Sequence, residues 1–125
     1  MPDLKNLYSH SAIILPVRDI EKSTSFYRDL LGFDLTFSWG NPVGYVVLKG
    51  GDHVSVHLTQ HSVDVTSDKE HVSLYVFAHD VDALYEGLIA NGVEIHNAIG
   101  GRDYGMRDFD IKDPDGHILS FGKGG

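Results

Sequence analysis

Hydrophobic and polar positions along this chain follow the same order twice. Each copy has an apolar strand that ends in aspartate, a helix with apolar residues at helical spacing, and a glycine that opens another strand. The first copy covers residues 11–19, 20–31 and 32–35, and the second covers residues 72–80, 81–91 and 92–95. Matching positions lie about 60 residues apart, which is half of the chain and indicates an internal duplication.

The pattern predicts an α+β fold of two tandem βαβββ modules, at about residues 8–60 and 70–122 of a single domain 1–125. We expect a curved mixed sheet with its helices on the convex face and a ligand groove on the concave face. The predicted helices are 20–31 and 80–91, and the predicted strands are 10–18, 33–39, 44–49, 52–60, 71–79, 93–97, 106–112 and 117–122. Residues 61–69 are predicted as a linker, 100–105 as a glycine-rich loop, and 123–125 as a frayed end.

Composition excludes several classes of function. The chain of 125 residues has 10 Lys and Arg against 18 Asp and Glu, for a net charge of −8, which disfavours a nucleic-acid partner and permits a cationic one. It has no cysteine, and therefore no thiolate nucleophile or metal ligand. Because no long apolar segment or signal-like N-terminus is visible, we expect a cytoplasmic protein with no membrane partner.

Strand alternation predicts which side chains line the groove, since successive residues point to opposite faces. Small apolar residues suit the face beneath the helices, and those expected there are Val72, Leu74, Val76, Ala78, Val54, Val56 and Leu58. Phe109, Ile111, Leu119 and Phe121 are expected to share that buried face. The opposite positions, expected in the groove, are His71, Ser73, Tyr75 and Phe77, then His53, Ser55, His57 and Thr59, then Asp108 and Asp110, then Ile118 and Ser120.

Two motifs resemble those of the vicinal oxygen chelate superfamily, which includes glyoxalase I, extradiol dioxygenases, fosfomycin-resistance enzymes and bleomycin-resistance proteins. One is Val17-Arg18-Asp19 followed by Ser25-Phe26-Tyr27 and Leu30-Leu31-Gly32-Phe33. The other is the closing run from Gly105 through Asp113-Pro-Asp-Gly116 to Phe121. The resemblance covers nearly the whole chain and implies the duplicated fold, without identifying a reaction.

The resemblance also implies where a divalent ion would bind in an enzyme of this superfamily. The matching positions here are Ala12, His57, His71 and Ser120, so two of four are plausible ligands. A catalytic site normally supplies three protein ligands. We therefore expect no metal, no cofactor and no catalytic residue. The alternative is a metal-dependent lyase, isomerase or thiol transferase, in which His10, a water or a partner residue completes the site.

Within the superfamily, the chain is most similar in pattern to bleomycin-resistance proteins. The similar segments are Pro16-Val-Arg-Asp19, Phe26-Tyr27, Asp82-Ala-Leu-Tyr85 and Tyr104-Gly105. The resemblance implies a homodimer that sequesters a cationic glycopeptide antibiotic, without a metal, in grooves at the dimer interface. A third hypothesis is a binder or metal-independent enzyme for an unrelated small molecule.

Such a drug would be recognised by aromatic faces for its planar rings and by carboxylates for its cationic tail. Phe37 also alternates with Leu35 and is compatible with a core position, and Arg107 could bind an anionic group or pair with an acidic neighbour. Asp113 and Asp115 are assigned only to their turn, and His117 to the surface. The predicted ligand-binding residues are Phe37, Trp39, His57, His71, Tyr75, Tyr104, Arg107, Asp108 and Asp110.

Overall fold

The computed structural model describes residues 3–61 and 71–124, so the predicted linker lies outside the described residues except for His61. A 3-10 turn at Leu4–Leu7 precedes the first strand. Helix α1 is Ile20–Ser25, continued by one π-helical turn at Phe26–Leu30, and helix α2 is Val81–Ala90. The strands are β1 (Ile13–Val17), β2 (Asp34–Trp39), β3 (Tyr45–Gly50), β4 (Val54–Gln60), β5 (Val72–Phe77), β6 (Ile95–Gly101), β7 (Met106–Lys112) and β8 (Ile118–Gly124).

The strands form two four-stranded sheets with the same internal order. Sheet A has the order β1-β4-β3-β2, and sheet B has the order β5-β8-β7-β6. In each sheet the first strand pairs in parallel with the last strand of its module, and the remaining pairs are antiparallel. The duplicated α+β fold predicted from the sequence is therefore confirmed. No helix within the two described ranges is long and apolar enough to cross a membrane.

Both helices begin and end with the same local chemistry. The carboxylates of Asp19 and Asp80 accept hydrogen bonds from the backbone N–H of Lys22 and Ala83, at 3.2 and 3.0 Å. Such N-caps each stabilise a helix by about 1 kcal/mol. Gly32 and Gly92 follow the helices with φ of 81° and 87°, a left-handed conformation that glycine adopts without strain.

Two expectations for the glycine-rich segments are wrong. Gly100 and Gly101 belong to β6, where they pair with Asp108 and Arg107 of β7, so the loop is confined to residues 102–105. The C-terminal end does not fray at residue 123, because Met106 of β7 pairs with Gly124 of β8. Ladder hydrogen bonds need only backbone groups, and a side-chain pattern therefore does not reveal them.

One hydrophobic core joins the two modules. Strand alternation placed its members correctly in most strands, since Val56, Leu58, Phe109 and Ile111 are fully buried. Val72 is an exception at 43% exposure, because the β5–β8 register shifts after it. The core also includes Leu15, Val17, Ile20, Tyr27, Val46, Leu48, Val81, Leu88, Val93, Leu119 and Phe121.

A buried polar cluster, which we call the polar clamp, fastens the turn between β7 and β8 to the first module. Asp115 accepts hydrogen bonds from the backbone N–H and Nε of Arg18, at 3.0 and 2.9 Å, and from Oγ of Ser23 at 3.2 Å. Asp113 accepts one from the Tyr27 hydroxyl at 2.7 Å. His117 Nε2 donates to the Pro16 carbonyl at 2.7 Å. The clamp comprises Pro16, Arg18, Ser23, Tyr27, Asp113, Asp115 and His117.

The clamp corrects the expectation that Asp113 and Asp115 serve only their own turn and that His117 lies on the surface. All three residues are buried. Burial raises the pKa of Tyr27 well above its ordinary value, and the neighbouring charge of Asp113 raises it further. Burial also raises the pKa of Asp113, against the opposing influence of His117 and the Tyr27 hydroxyl. Because buried polar groups are costly without partners, the two modules depend on each other at this turn.

Removal of the clamp carboxylate should destabilise the whole chain. We expect Asp115→Ala to lower the free energy of unfolding by about 2 to 3 kcal/mol, because it leaves Ser23 and the Arg18 backbone N–H without their acceptor. Urea denaturation followed by circular dichroism measures the change. The matched control is Asp29→Ala, whose ion pair with Arg28 lies on the exposed surface and should be dispensable. Equal effects of the two substitutions would contradict a structural role for the clamp.

Candidate functional site

The helix-free face of sheet A carries exposed aromatic and apolar side chains. Residues that pair across neighbouring strands point to the same face. Trp39 pairs with Tyr45, while Phe37, Val47, His57 and Ile14 form one continuous row across the sheet. Trp39 and Phe37 are 69% and 53% exposed. We call this surface, made of Ile14, Phe37, Trp39, Tyr45 and His57, the aromatic patch.

A β-bulge explains why Phe37 belongs to this patch and not to the core. Between Leu35 and Phe37 the register shifts, because β2 uses one residue more than β3 over this step. Thr36 is the extra residue, and such an insertion turns the later side chains of the same strand to the opposite face of the sheet. The core interpretation of Phe37, which came from simple alternation with Leu35, is therefore wrong.

His57 is paired with an aromatic hydroxyl that the sequence interpretation missed. Tyr45 Oη and His57 Nδ1 lie 2.6 Å apart, and the two rings meet edge to face with centroids 5.5 Å apart. The register of β3 against β4 reveals this contact. Val47 pairs with His57, and Tyr45, two residues before Val47, therefore points to the same face as His57. The hydrogen bond fixes the orientation of the imidazole within the patch.

The equivalent face of sheet B forms a pocket of about 440 Å³. Its central group is the carboxylate of Asp108, which is only 3% exposed. Asp108 accepts hydrogen bonds from the hydroxyls of Tyr75 and Tyr104 and from Nε of Arg102. Asp110, half-buried beside it, accepts a hydrogen bond from Asn97 Nδ2 at 2.7 Å. We call this the acidic pocket, lined by Val72, Tyr75, Asn97, Ala98, Arg102, Tyr104, Asp108, Asp110 and Ser120.

Gly122 makes the arrangement around Asp108 possible. A Cβ atom at this position of β8 would overlap the Tyr75 hydroxyl and would lie 2.9 Å from Cβ of Asp108. The Tyr75 side chain therefore lies across bare backbone to reach its acceptor. Only glycine allows that path, because any larger residue would displace the phenol.

Charges in the acidic pocket are partly balanced. Burial alone would raise the pKa of Asp108, but hydrogen bonds from Tyr104, Arg102 and Tyr75 outweigh it, so its pKa is lowered. Arg102, which sequence reasoning missed, also donates to the carbonyls of Ala98 and Asp108 and so braces the β6–β7 loop. With Asp110 included, the charged lining residues carry one excess negative charge.

The remaining predicted residues lie elsewhere. Arg107 points to the opposite face of β7 and forms an ion pair with Asp82 at the start of α2, at 2.8 Å. His71 is exposed just before β5, in the second module, whereas His57 lies on sheet A. Within residues 3–61 and 71–124, no three His, Asp or Glu side chains are grouped so that they could hold a metal ion.

The aromatic patch and the acidic pocket flank a junction between the modules. A second cavity of about 440 Å³ lies there, lined by Ser11–Ile13 and residues 53–55 of the first module and residues 74–77 of the second. Phe77, on the same face as Tyr75, is 74% exposed, and the two rings are 5.1 Å apart. The cavity shares Tyr75 with the acidic pocket, and it borders β1 and β4, the strands that carry Ile14 and His57 of the aromatic patch.

The chain belongs to the glyoxalase/bleomycin resistance protein/dioxygenase superfamily, whose sequence profile matches residues 9–121. It is similar to the bleomycin resistance protein of Geobacillus stearothermophilus, with 29% identity over an alignment of 124 positions; the alignment covers 86% of this chain and 90% of that protein. Solved structures that share the fold include the following two. A bleomycin-binding protein complexed with bleomycin matches with a TM-score of 0.78 and 22% identity, over 94% of this chain and 100% of that one. The fosfomycin resistance protein FosX from Listeria monocytogenes matches with a TM-score of 0.73 and 19% identity, over 94% of each chain.

Removal of the Asp108 charge should change the ionisation of both phenols. Burial is the largest cause of the raised pKa of Tyr75, followed by its hydrogen bond to Asp108, whereas for Tyr104 that hydrogen bond is the largest cause. We expect Asp108→Asn to lower both pKa values, and to bring that of Tyr104 closer to its ordinary value. NMR titration of carbon-13-labelled tyrosine rings measures this. Asp110→Asn, the matched control, should shift both values less, and unchanged values in Asp108→Asn would contradict the hydrogen-bond network.

Proposed function

We propose that this protein binds a cationic antibiotic of the bleomycin type in the cytoplasm and confers resistance by sequestration. The observation that carries the proposal is the presence of an exposed aromatic patch on sheet A and an acidic pocket on the equivalent face of sheet B. Planar heteroaromatic rings would stack on Trp39 and Phe37, since offset stacking favours such contacts. A cationic tail would enter the acidic pocket, where Tyr75 and Tyr104 add cation–π attraction.

Asp110 is the carboxylate best suited to meet the cation directly. Asp108 already accepts three side-chain hydrogen bonds and is almost fully buried. Asp110 is half-buried and has one side-chain donor, Asn97. A carboxylate oxygen can accept more than one hydrogen bond, so Asp110 retains capacity for a ligand ammonium or amidinium group. The net charge of −8 would also attract a cationic ligand over longer distances.

The side chains at the positions of the expected metal ligands support binding without chemical conversion. Ser120 stands where the superfamily resemblance implies a metal-binding carboxylate, and its hydroxyl donates to the Phe109 carbonyl at 3.4 Å. His57 shares its Nδ1 with the Tyr45 hydroxyl. The bleomycin resistance proteins are the curated relatives that the chain resembles over most of its length. The likeness to the fosfomycin resistance protein extends to the fold alone.

We also propose that the groove is completed by a second copy of the chain. The groove side exposes several large apolar side chains that a monomer would leave in water. A second copy that packs its acidic pocket over the aromatic patch would cover both and would enclose a bulky ligand between them. The most exposed of these side chains are Ile14, Phe37, Trp39, Phe77 and Tyr104.

Calorimetric titration of chelator-treated protein with metal-free bleomycin tests the binding. We expect submicromolar affinity near one ligand per chain. Trp39→Ala should weaken binding about 30-fold, since a buried aromatic contact contributes about 2 kcal/mol. Asp110→Asn should weaken binding about tenfold. Arg107→Ala, on the opposite face, is the control and should bind as the wild type does. No heat, together with unchanged Trp39 fluorescence, would overturn the proposed ligand.

Light scattering after size-exclusion chromatography tests the assembly. We expect a mass of about twice the 13.8 kDa of one chain, because the exposed apolar side chains of the groove become buried in a dimer. The measurement should be repeated at micromolar and submicromolar concentrations. A stable monomer at both concentrations would contradict the two-chain groove and would leave the fold unaffected.

A further inference from the structure

The internal duplication places the last turn of each module against the first strand and helix of the other. The turn between β7 and β8 forms the polar clamp on β1 and α1. Its counterpart, the turn between β3 and β4, lies beside the end of β5 and α2. The two modules can be aligned position by position. Asp19 and Asp80 cap equivalent helices. The pair Leu15–Leu58 in sheet A is equivalent to the pair Val76–Phe121 in sheet B.

The comparison shows that most side chains of the clamp have no equivalent in its counterpart, although Asp52 stands in the place of Asp115 and is exposed. Gly50 stands in the place of Asp113, and Leu88 stands in the place of Tyr27. Leu84 replaces Ser23. A pocket of about 380 Å³ occupies this position, and we call it the helix-side pocket. It lies on the buried side of β5, away from the aromatic patch and the acidic pocket.

The walls of the helix-side pocket are apolar. Val76, Ala78, Leu84, Leu88 and Phe121 line it. A further wall is the ring of Phe33, which packs over bare backbone, since a Cβ at Gly50 would lie 2.8 Å from Cε1 of that ring. Apolar cavities of this kind bind single aromatic rings, because a ring recovers contacts that the empty walls lack.

The rim of the pocket is polar. Asp52 is the charged lining residue, and it is exposed. The imidazoles of His53 and His79 lie at the same opening and can donate or accept a hydrogen bond. In the clamp, Tyr27 and Asp113 fill the corresponding space with a phenol and its acceptor, whereas the smaller Leu88 and Gly50 stand here.

We propose that the helix-side pocket is a second binding site, for an uncharged single-ring aromatic molecule with one hydroxyl group. The ring lies between α2 and Phe33, and the hydroxyl points to His53 and His79. The site adjoins the junction cavity, with which it shares His53, Val54, Val76 and Phe77, but it has no lining residue in common with the acidic pocket.

Phenol is the probe, and amide chemical shifts in a nitrogen-15 NMR titration are the measurement. We expect saturable shifts at Ala78, Leu84 and Leu88. Ala78→Leu should fill the pocket and weaken phenol binding at least about tenfold, which corresponds to the loss of a few ring contacts. Leu84→Phe gives a second filled variant if the first does not fold, as judged by its circular dichroism melting curve.

The matched control is Ala98→Leu, which makes the same change in the acidic pocket. It should leave phenol binding unchanged. Loss of binding in this control, with retention in the filled variants, would place phenol in the groove and overturn the proposal. Absence of saturable shifts in the wild-type protein would also overturn it, whether or not the protein binds bleomycin.

Discussion

The hydrogen bonds of the turn at residues 113–117 fix how the two modules meet. Asp113 and Asp115 are buried, and each accepts hydrogen bonds from residues of the first module. A buried carboxylate without donors is strongly unfavourable, so the second module cannot separate from the first without exposing these groups. The hydrophobic core supplies most of the favourable free energy, but apolar contacts do not specify one orientation. The directional bonds of the clamp do, and they set where the aromatic patch lies relative to the acidic pocket.

The acidic pocket illustrates how a charge can organise a site without meeting a ligand itself. The carboxylate of Asp108 accepts hydrogen bonds from two phenol hydroxyls and one guanidinium group, and these donors occupy its oxygens. The rings of Tyr75 and Tyr104 are held in place before any ligand arrives, which reduces the entropy lost on binding. Gly122 contributes to the same arrangement, because the absence of a side chain leaves the space through which Tyr75 reaches the carboxylate.

The duplication, the succession of strands and helices along the chain and most core positions could be predicted from the sequence, because they follow from the period of apolar residues. Alternation correctly separated Asp108 from Phe109 along β7. It failed at Phe37, where a bulge adds one residue without any change of composition. The sequence pattern also missed the contacts of His117, whose partner Pro16 is distant in the chain, and of Arg102, which itself lies in the loop before β7. Local patterns report which face a residue occupies, whereas long-range polar contacts depend on the assembled fold.

The bulge at Thr36 has a consequence for how proteins of this architecture diversify. Strand β2 is at the edge of sheet A and has a single neighbouring strand. A change in the length of β2 by one residue disturbs only its pairing with β3. The side chains that follow the change within β2 nevertheless move to the opposite face of the sheet. Deletion of Thr36 would turn the Phe37 and Trp39 rings towards the helices. Insertions and deletions in an edge strand can thus alter the range of molecules that a binding surface accepts while every side chain keeps its identity.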